Sequence, residues 1–292
     1  MNILTFDIEE WYIEKCFYGN RQAKYDEYDA YLDDILDILD KNNIKATFFC
    51  LGKMALEYGW IVKKIHSRGH EIGCHSDRHT WLNKMSRLDT LLDTRSAVDS
   101  IEQCIGEKVL SYRAPAFSVG EENKWAFEVL KECGIECDAS VFPARRDFGG
   151  FPSFGYQQPV RILCNGIEIK EFPICMTSLL NRSMAYSGGG YFRFFPYWFI
   201  KRTIMKSDYV MAYFHIGDLI PDSRKMYSKE EYEEYFKENG TLFKRITRYA
   251  KSNVGKSNSF KKMGTLVGEF PFESISQAVR LICWENTPIV QL

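Results

Sequence analysis

The spacing of apolar residues predicts a repeating order of strands and helices along most of the chain. Short apolar runs, which predict strands, lie at residues 2–7, 44–50, 70–74, 109–112 and 211–215. In the segments that follow the first four of these runs, apolar residues such as Leu and Ile recur at helical spacing. The predicted helices cover residues 29–41, 52–67, 86–104 and 121–133. Strands that alternate with helices in this order favour parallel βα units, and therefore an α/β fold.

The second half of the chain is less regular. Residues 142–196 combine prolines and glycine runs with many aromatic residues, which predicts loops and short strands. Residues 229–252 predict one charged amphipathic helix, followed by a mixed tail. Since no repeat and no linker interrupts the sequence, we expect a single domain over residues 1–292, with a core at about 1–220 and a helical extension at 221–292.

Composition limits the expected binding partners of the protein and its expected cellular location. The 292 residues carry a net charge of −1 and no long basic stripe, so nucleic acid is not expected as a partner. No run approaches the roughly 18 apolar residues of a transmembrane helix, and the first ten residues lack the basic start of a signal peptide. The nine cysteines include no CxxC pair, which favours reduced thiols and a cytoplasmic protein.

Histidines gather at the end of one predicted strand. His75 and His79 are four residues apart, and two imidazoles at this spacing on one turn can bind the same divalent ion. A third ligand is needed, and Asp7 and Glu9 lie at the end of the first strand, where alternate residues share a face. The pattern HxxxH alone is common, and either histidine could instead cap a helix.

Further polar residues follow other strands. Arg113 comes after the strand at 109–112 and could hold a carboxylate, and His215 ends the strand at 211–215 and could donate a proton. The ends of parallel strands meet at one edge of such a fold, where active sites are built. Four strand ends that each supply a residue suited to hydrolysis therefore indicate a catalytic site.

These segments resemble four motifs of the polysaccharide deacetylases, the NodB-homology domain of carbohydrate esterase family 4. The motifs are present here as Thr5-Phe-Asp-Ile-Glu-Glu10, His75-Ser-Asp-Arg-His79, Arg113-Ala-Pro-Ala-Phe117 and Tyr213-Phe-His215. Asp138-Ala-Ser-Val-Phe-Pro143 and the glycine-rich segment from Ser187 to Pro196 are similar to a subgroup found with exopolysaccharide and exosortase loci.

The resemblance implies a fold and a chemistry. The fold would be a deformed (β/α) barrel with seven parallel strands and elaborated loops. The activity would be metal-dependent removal of an N-acetyl group from a sugar of a surface-polysaccharide precursor, with zinc as the default ion and cobalt, nickel or manganese as alternatives.

The resemblance also implies roles for individual residues. Asp7 would be the base, Arg113 would hold Asp7, and His215 would protonate the leaving amine. The metal ligands would be Glu9, His75 and His79. Ala116 and Phe117 would line the substrate and oxyanion position, with the backbone N–H of Ala116 as the donor.

Two positions depart from the family pattern. Ile8 replaces the usual metal-binding aspartate, and Glu9 is the first substitute with Glu10 the second. After the last strand the chain reads His215-Ile-Gly-Asp218 where the subgroup has His-Pro-Trp-Glu, which is expected to alter the sugar pocket or the tuning of His215. Ser76 is expected to orient its loop.

Other interpretations stay open from the sequence. One is a metal-dependent amidohydrolase acting on a small cyclic amide or imide. Another is a non-catalytic carbohydrate-binding protein with the same fold. The aromatic segment Tyr191–Arg202 has basic ends and could contact a membrane surface, but we expect it mainly to start a buried helix after Pro196.

Overall fold

A mostly parallel sheet of nine strands organises the part of the chain that the structure describes. The computed structural model describes residues 1–146, 148–179, 182–221, 225–236 and 238–292. The strands are β1 (Asn2–Ile8), β2 (Thr47–Cys50), β3 (Glu71–Cys74), β4 (Ser111–Tyr112), β5 (Cys137–Asp138), β6 (Val160–Cys164), β7 (Ile167–Glu171), β8 (Met176–Leu179), β9 (Arg182–Ala185), β10 (Val210–His215) and β11 (Ile289–Gln291).

The sheet confirms the predicted α/β class. Its strand order is β10-β1-β2-β3-β4-β5-β7-β6-β11, and β8 and β9 form a separate antiparallel hairpin. The seven strands from β10 to β7 pair in parallel, as the resemblance implied. Beyond them, β6 is antiparallel to β7, and β11 pairs in parallel with β6.

Helices flank the sheet. They are α1 (Glu10–Tyr18), α2 (Gln22–Lys41), α3 (Gly52–Glu57), α4 (Gly59–Ser67), α5 (Arg87–Ile105), α6 (Ala126–Glu132), α7 (Gly189–Phe194), α8 (Tyr197–Ile204), α9 (Ile216–Leu219), α10 (Lys229–Phe236), α11 (Leu242–Asn253), α12 (Ser259–Glu269) and α13 (Ile275–Leu281). None of the helices in the described ranges combines the length and the apolar character needed to span a bilayer.

Two predicted helices are each divided in the structure. The helix expected at 52–67 is α3 and α4, which meet at Tyr58, whose backbone leaves helical geometry at φ −131°. The helix expected at 229–252 is α10 and α11. Gly240 lies between them outside either helix, and the Thr241 side chain accepts a hydrogen bond from the N–H of Lys244 and caps α11.

Strand β1 lies between β10 and β2, and its burial explains why most of its residues are apolar. Ile3, Leu4, Phe6 and Ile8 are all fully buried, because helices cover both faces of a parallel sheet. Phe6 stacks on Phe48 of the neighbouring strand with ring centroids 4.9 Å apart. A buried strand therefore carries the residues that follow at the end of β1.

The tail after residue 221 contains helices and also a strand that joins the main sheet. Its strand β11 pairs with β6, and Glu273 exchanges backbone hydrogen bonds with Asn2 and Leu4 at 2.9 and 3.1 Å. The N–H of Ile275 also donates to the Thr47 hydroxyl at 2.8 Å. The tail thus contributes the strand β11 to the main sheet in addition to its helices.

Candidate active site

The predicted site residues come together at the carboxyl ends of four parallel strands. In the register of the sheet, Asp7 at the end of β1 pairs with His215 at the end of β10. His75 follows directly after β3, and Arg113 follows directly after β4. Neighbouring parallel strands end at the same edge, so residues far apart in sequence share one cleft.

Asp7 and Arg113 form a buried ion pair. Arg113 is fully buried, and its Nη1 lies 2.9 Å from Asp7 Oδ1 and donates also to the Thr5 hydroxyl at 2.7 Å. The Arg113 Nε donates to the carbonyl of Ala139, and its guanidinium lies 4.4 Å from the ring centre of Phe49. Several partners therefore hold the guanidinium, which orients the carboxylate and leaves Oδ2 towards the cleft.

Glu9, His75 and His79 place three donor atoms together. Their nearest ligand atoms all lie within 4.8 Å of one another. Glu9 Oε2 is 2.7 Å from Nε2 of His79 and 3.5 Å from Nε2 of His75. Even so, neither Glu9 Oε2 nor His75 Nε2 has a partner in hydrogen-bonding geometry among the described residues, although both atoms are buried.

The surroundings prepare these three side chains to act as ligands. His75 Nδ1 lies 2.7 Å from the carbonyl oxygen of Arg113, so it carries the proton and leaves the Nε2 lone pair facing Glu9. Burial raises the pKa of Glu9, but the nearby His79 and His215 outweigh it, and the pKa lies well below its usual range. Glu9 is therefore a carboxylate at neutral pH.

The loop between the two histidines has an unusual backbone. Ser76 and His79 both adopt left-handed conformations, with φ of 72° and 61°. The buried Ser76 hydroxyl accepts a hydrogen bond from the N–H of His79 at 3.0 Å. Ser76 thus orients the loop, and the strained conformation brings His79 back towards Glu9.

Glu10 points away from the histidines. Its Oε1 accepts a hydrogen bond from the backbone N–H of Gly217 at 2.7 Å, at the start of α9. Burial and the adjacent Glu9 carboxylate raise the pKa of Glu10 to about 7. Of the two substitutes for the missing aspartate at Ile8, the structure places Glu9 with the histidines and Glu10 against the backbone.

His215 lies opposite the ion pair and has its own carboxylate partner. Its Nε2 is 3.7 Å from Asp7 Oδ2 and 3.8 Å from Glu9 Oε1, and its Nδ1 is 3.0 Å from Asp218 Oδ2. Burial lowers the pKa of His215, but the charges of Glu9, Asp218 and Asp7 raise it to about 10. The sequence predicted that the residues after His215 would alter the sugar pocket or the tuning of His215, and of these residues Asp218 contacts His215 Nδ1.

The two residues predicted near the oxyanion, Ala116 and Phe117, differ in whether their backbone N–H can donate to it. Phe117 donates its backbone N–H to the carbonyl of Ala114, and its buried ring lies 5.6 Å from the Arg113 guanidinium. It therefore supports the arginine and has no free N–H for an oxyanion. Ala116 is half-buried with a left-handed backbone (φ 54°) and stays the candidate donor.

A buried pair of acids behind Arg113 was not anticipated as part of the site. Asp138 accepts a hydrogen bond from the Ser140 hydroxyl at 2.5 Å, and that hydroxyl accepts one from the N–H of Ala114 at 2.7 Å. Glu171 is fully buried, and burial beside the Asp138 carboxylate raises its pKa well above the usual range. Asp138 belonged to a quoted motif, but Glu171 had no signal in the sequence.

We expect Glu171→Gln to change how stability depends on pH. The raised pKa means that folded Glu171 keeps a proton that the unfolded chain has lost. The unfolding free energy of the wild type therefore falls as pH rises from the ordinary carboxyl range through the folded pKa. Glutamine has no such proton, so urea denaturation should show the variant gaining stability relative to wild type at higher pH.

The control for this variant is Glu168→Gln on the same strand, whose side chain is 46% exposed. This control should track the wild type at every pH. Equal pH dependence in the wild type and in Glu171→Gln would contradict a protonated Glu171.

Comparisons with known proteins agree with this geometry. Residues 3–137 match the family model described as polysaccharide deacetylase, and residues 139–280 match a domain of unknown function, DUF3473. The first match spans the Asp7 strand, both histidines and Arg113. Residues 3–137 are a little less than half of the chain, and over them the chain is similar to the polysaccharide deacetylase family.

Individual relatives match this chain over shorter stretches. The uncharacterized protein YlxY of Bacillus subtilis is 39% identical over 90 residues, which are 30% of this chain and 28% of that protein. A peptidoglycan-N-acetylglucosamine deacetylase of Bacillus cereus is 35% identical over 95 residues, 32% of this chain and 34% of that protein. The chain thus aligns with about a third or less of the length of these two relatives.

A solved structure confirms the fold over the whole chain. A crystal structure described as a candidate polysaccharide deacetylase of Mycobacterium smegmatis superposes with a TM-score of 0.62 and 14% identity, covering 100% of this chain and 92% of the other. At this identity the likeness concerns the fold alone. The α/β architecture of that structure therefore extends through the second half of this chain.

Proposed function

We propose that the chain hydrolyses the N-acetyl group of a sugar in a surface-polysaccharide precursor, with a divalent ion bound by Glu9, His75 and His79. The observation that carries this proposal is the position of Asp7 and His215. Both lie at the strand edge that holds the three donor residues, with 3.7 Å between Asp7 Oδ2 and His215 Nε2. A base, an acid and a ligand set in one cleft are what metal-assisted amide hydrolysis requires.

The donor set fits a divalent ion. Glu9 Oε2 and His75 Nε2 are buried polar atoms without hydrogen-bonding partners in the described ranges, which is costly unless a cation takes that place. Two imidazoles and one carboxylate with an open position suit zinc best, and cobalt, nickel or manganese less well. When bound, such an ion polarises the acetyl carbonyl and makes a water molecule more acidic.

Asp7 is the proposed base. Its Oδ1 is engaged by Arg113, so Oδ2 is the atom that can take a proton from the attacking water. Arg113 keeps the carboxylate oriented, and its own fixed position comes from Thr5 and Ala139. Burial of the pair strengthens this attraction compared with an ion pair at the surface.

His215 is the proposed acid. The Asp218 carboxylate at Nδ1 stabilises the protonated ring and aims Nε2 into the cleft, where it can donate to the leaving amine. The backbone N–H of Ala116 is the proposed donor to the oxygen that becomes negative during attack. We place this activity in the cytoplasm, where all nine cysteines could stay as the free thiols found here.

The test measures metal content and acetate release together. Purified wild-type protein should hold about one zinc ion per chain and release acetate from N-acetylglucosamine oligomers. Release should stop with a chelator and return when zinc is added. The variant His79→Ala should lose both the zinc ion and the release of acetate. The control is His66→Ala, which should keep both, because His66 lies on α4 and pairs with Glu107.

Two outcomes would overturn the proposal. If the purified protein contains no metal and does not bind zinc when zinc is supplied, metal-dependent hydrolysis is excluded. A carbohydrate-binding role would then be the remaining function. Zinc-dependent opening of a small cyclic imide without any acetate release would identify the other amidohydrolase activity.

A further inference from the structure

A second arginine lies beside the candidate active site. The Arg146 guanidinium is 4.5 Å from the ring centre of Phe142 and 5.0 Å from that of Phe117. Arg113, which holds the proposed base, lies 5.6 Å from the same Phe117 ring. Two arginines therefore contact one aromatic ring, and of the two only Arg113 pairs with an acid of the described residues.

The loop that carries Arg146 rests on the turn at Ala116. The Gly150 N–H donates to the carbonyl of Phe117 at 3.0 Å, and the Arg146 N–H donates to the carbonyl of Gly149 at 3.2 Å, which closes the loop on itself. A side chain at Gly149 would collide with the carbonyl oxygens of Ala116 and Phe117. The glycines thus let the loop, and Arg146 with it, approach the residue proposed as the oxyanion donor.

Part of the Arg146 guanidinium is enclosed without a hydrogen bond. Its Nη1 is buried and has no hydrogen-bonding partner among the residues that the structure describes, while the side chain as a whole is half-buried. A buried cationic N–H that makes no hydrogen bond is costly, and native folds seldom keep one. Stacking on two aromatic rings does not supply this hydrogen bond, whereas an oxygen atom of a bound ligand would.

The carboxylates of the site have other basic neighbours. Each of them faces at least one basic residue: Asp7 faces Arg113, Glu9 faces His75 and His79, and Asp218 faces His215 and Arg193. None of these contacts involves Arg146. Within the described part of the site the charge of Arg146 is therefore not neutralised, which favours a ligand with a negative charge.

Arg146 lies on the side of the cleft where the sugar would bind. Burial raises the pKa of Tyr213, and the positive charge of Arg146 is the strongest influence that lowers it. The Tyr213 ring also packs on Phe117, with centroids 5.2 Å apart. Tyr213 and His215 are alternate residues of β10 and share one face of this strand. The amine that His215 would protonate stays on the sugar, so the sugar ring lies on the same side of the cleft as Arg146.

We propose that Arg146 binds an anionic group of the sugar, so that this protein acts on N-acetyl sugars that carry a carboxylate or a phosphate. The inference rests on the proposed function and names the class of its substrate. A guanidinium can donate two parallel hydrogen bonds to either anion, which combines charge with geometric specificity.

The test measures sugar binding by isothermal titration calorimetry in the full chain with zinc supplied. The Asp7→Asn background prevents hydrolysis of the ligand. Three sugars are compared: N-acetylglucosamine, its anomeric phosphate, and the uronic acid in which its terminal hydroxymethyl group is a carboxylate. Arg146→Gln removes the charge, and Arg146→Lys keeps the charge without the two parallel donors. The control is Arg280→Gln, which changes an exposed arginine of α13, a helix that bonds to Thr47 at the amino end of β2.

We expect an anionic sugar to bind at least about tenfold more tightly than N-acetylglucosamine, because charge-assisted hydrogen bonds are stronger than neutral ones. The sugar with the larger gain identifies the anion. The gain should disappear in Arg146→Gln, remain in part in Arg146→Lys and be unchanged in Arg280→Gln. The affinity for N-acetylglucosamine should be the same in all of them, which shows that the site is still folded.

Equal affinity for the three sugars, or no binding of any of them, would overturn the proposal, as would a gain that persists in Arg146→Gln. An equal loss of N-acetylglucosamine binding in Arg146→Gln and Arg146→Lys would make Arg146 a structural residue and would also overturn it. If the wild type releases acetate without any preference for anionic sugars, the anion site fails and the proposed hydrolysis stands. A gain that depends on Arg146, without acetate release from any sugar, would support the anion site and remove the hydrolysis.

Discussion

Replacing Asp7 with asparagine is expected to lower the kcat of acetate release by about 10²- to 10⁴-fold. The amide keeps the size of the side chain and can still accept a hydrogen bond from Arg113, but it cannot take a proton from water. Because Asp7 is not among the three clustered ligand donors, zinc content should be unchanged. Steady-state kinetics and elemental analysis of the same preparation check both statements.

The control for this variant is Asp37→Asn. Asp37 lies on α2 and is paired with Arg68, and its side chain is 67% exposed. Its activity should match the wild type. An Asp7→Asn enzyme that keeps wild-type kcat would assign the base to another residue, while one that loses zinc would make Asp7 a ligand.

The second large effect concerns the neighbouring glutamates. We expect Glu9→Gln to weaken zinc binding by at least about a hundredfold, since an amide oxygen without charge is a poor substitute for the carboxylate between His75 and His79. Glu10→Gln should keep the metal, because Glu10 accepts from the Gly217 backbone and does not reach the histidines. Competition titration with a zinc-binding dye measures both affinities.

The adjacent pair makes this experiment selective. A loss of zinc in Glu10→Gln with retention in Glu9→Gln would exchange the two assignments. Equal loss in both would indicate that the start of α1, and not one carboxylate, holds the ion. Only the predicted order supports Glu9 as the replacement for the missing aspartate at Ile8.

The parts of the site that could be predicted are those with strong local signals. The apolar run of β1 placed Asp7 and Glu9 at a strand end, and the same reasoning placed His75, Arg113 and His215 at other strand ends. Parallel strands must end at a common edge, so predicted strands were enough to predict that these residues meet. Alternate residues on a strand also favoured Glu9 over Glu10.

Other parts depend on contacts that no local pattern reports. The burial of Glu171 beside Asp138 joins two strands, β7 and β5, that lie apart in sequence. The Phe117 N–H donates to the Ala114 carbonyl because of a single turn that begins at Pro115. The return of β11 to the sheet requires pairing with β6 across more than a hundred residues, and two apolar residues, Ile289 and Val290, give no local signal of it.

The rotation of α11 belongs to this second group. Periodicity correctly indicated that residues 229–252 contain an amphipathic helix, because it reports which side chains share a face. It does not report which face points inward. Here Arg248 stacks on Phe236 and the apolar side faces outward, and only the packed structure shows that reversal.

The pairing of β1 with β10 has a consequence for how this protein can be synthesised and divided. Every residue from Asn2 to Asp7 has its partner in Val210–His215, so β1 cannot complete its pairing until the chain has been made as far as β10. A shortened product ending between the two family matches, near residue 137, would keep Asp7 but leave one side of β1 bare. The exposed edge of such a strand readily recruits other chains, so such a product is expected to aggregate during expression.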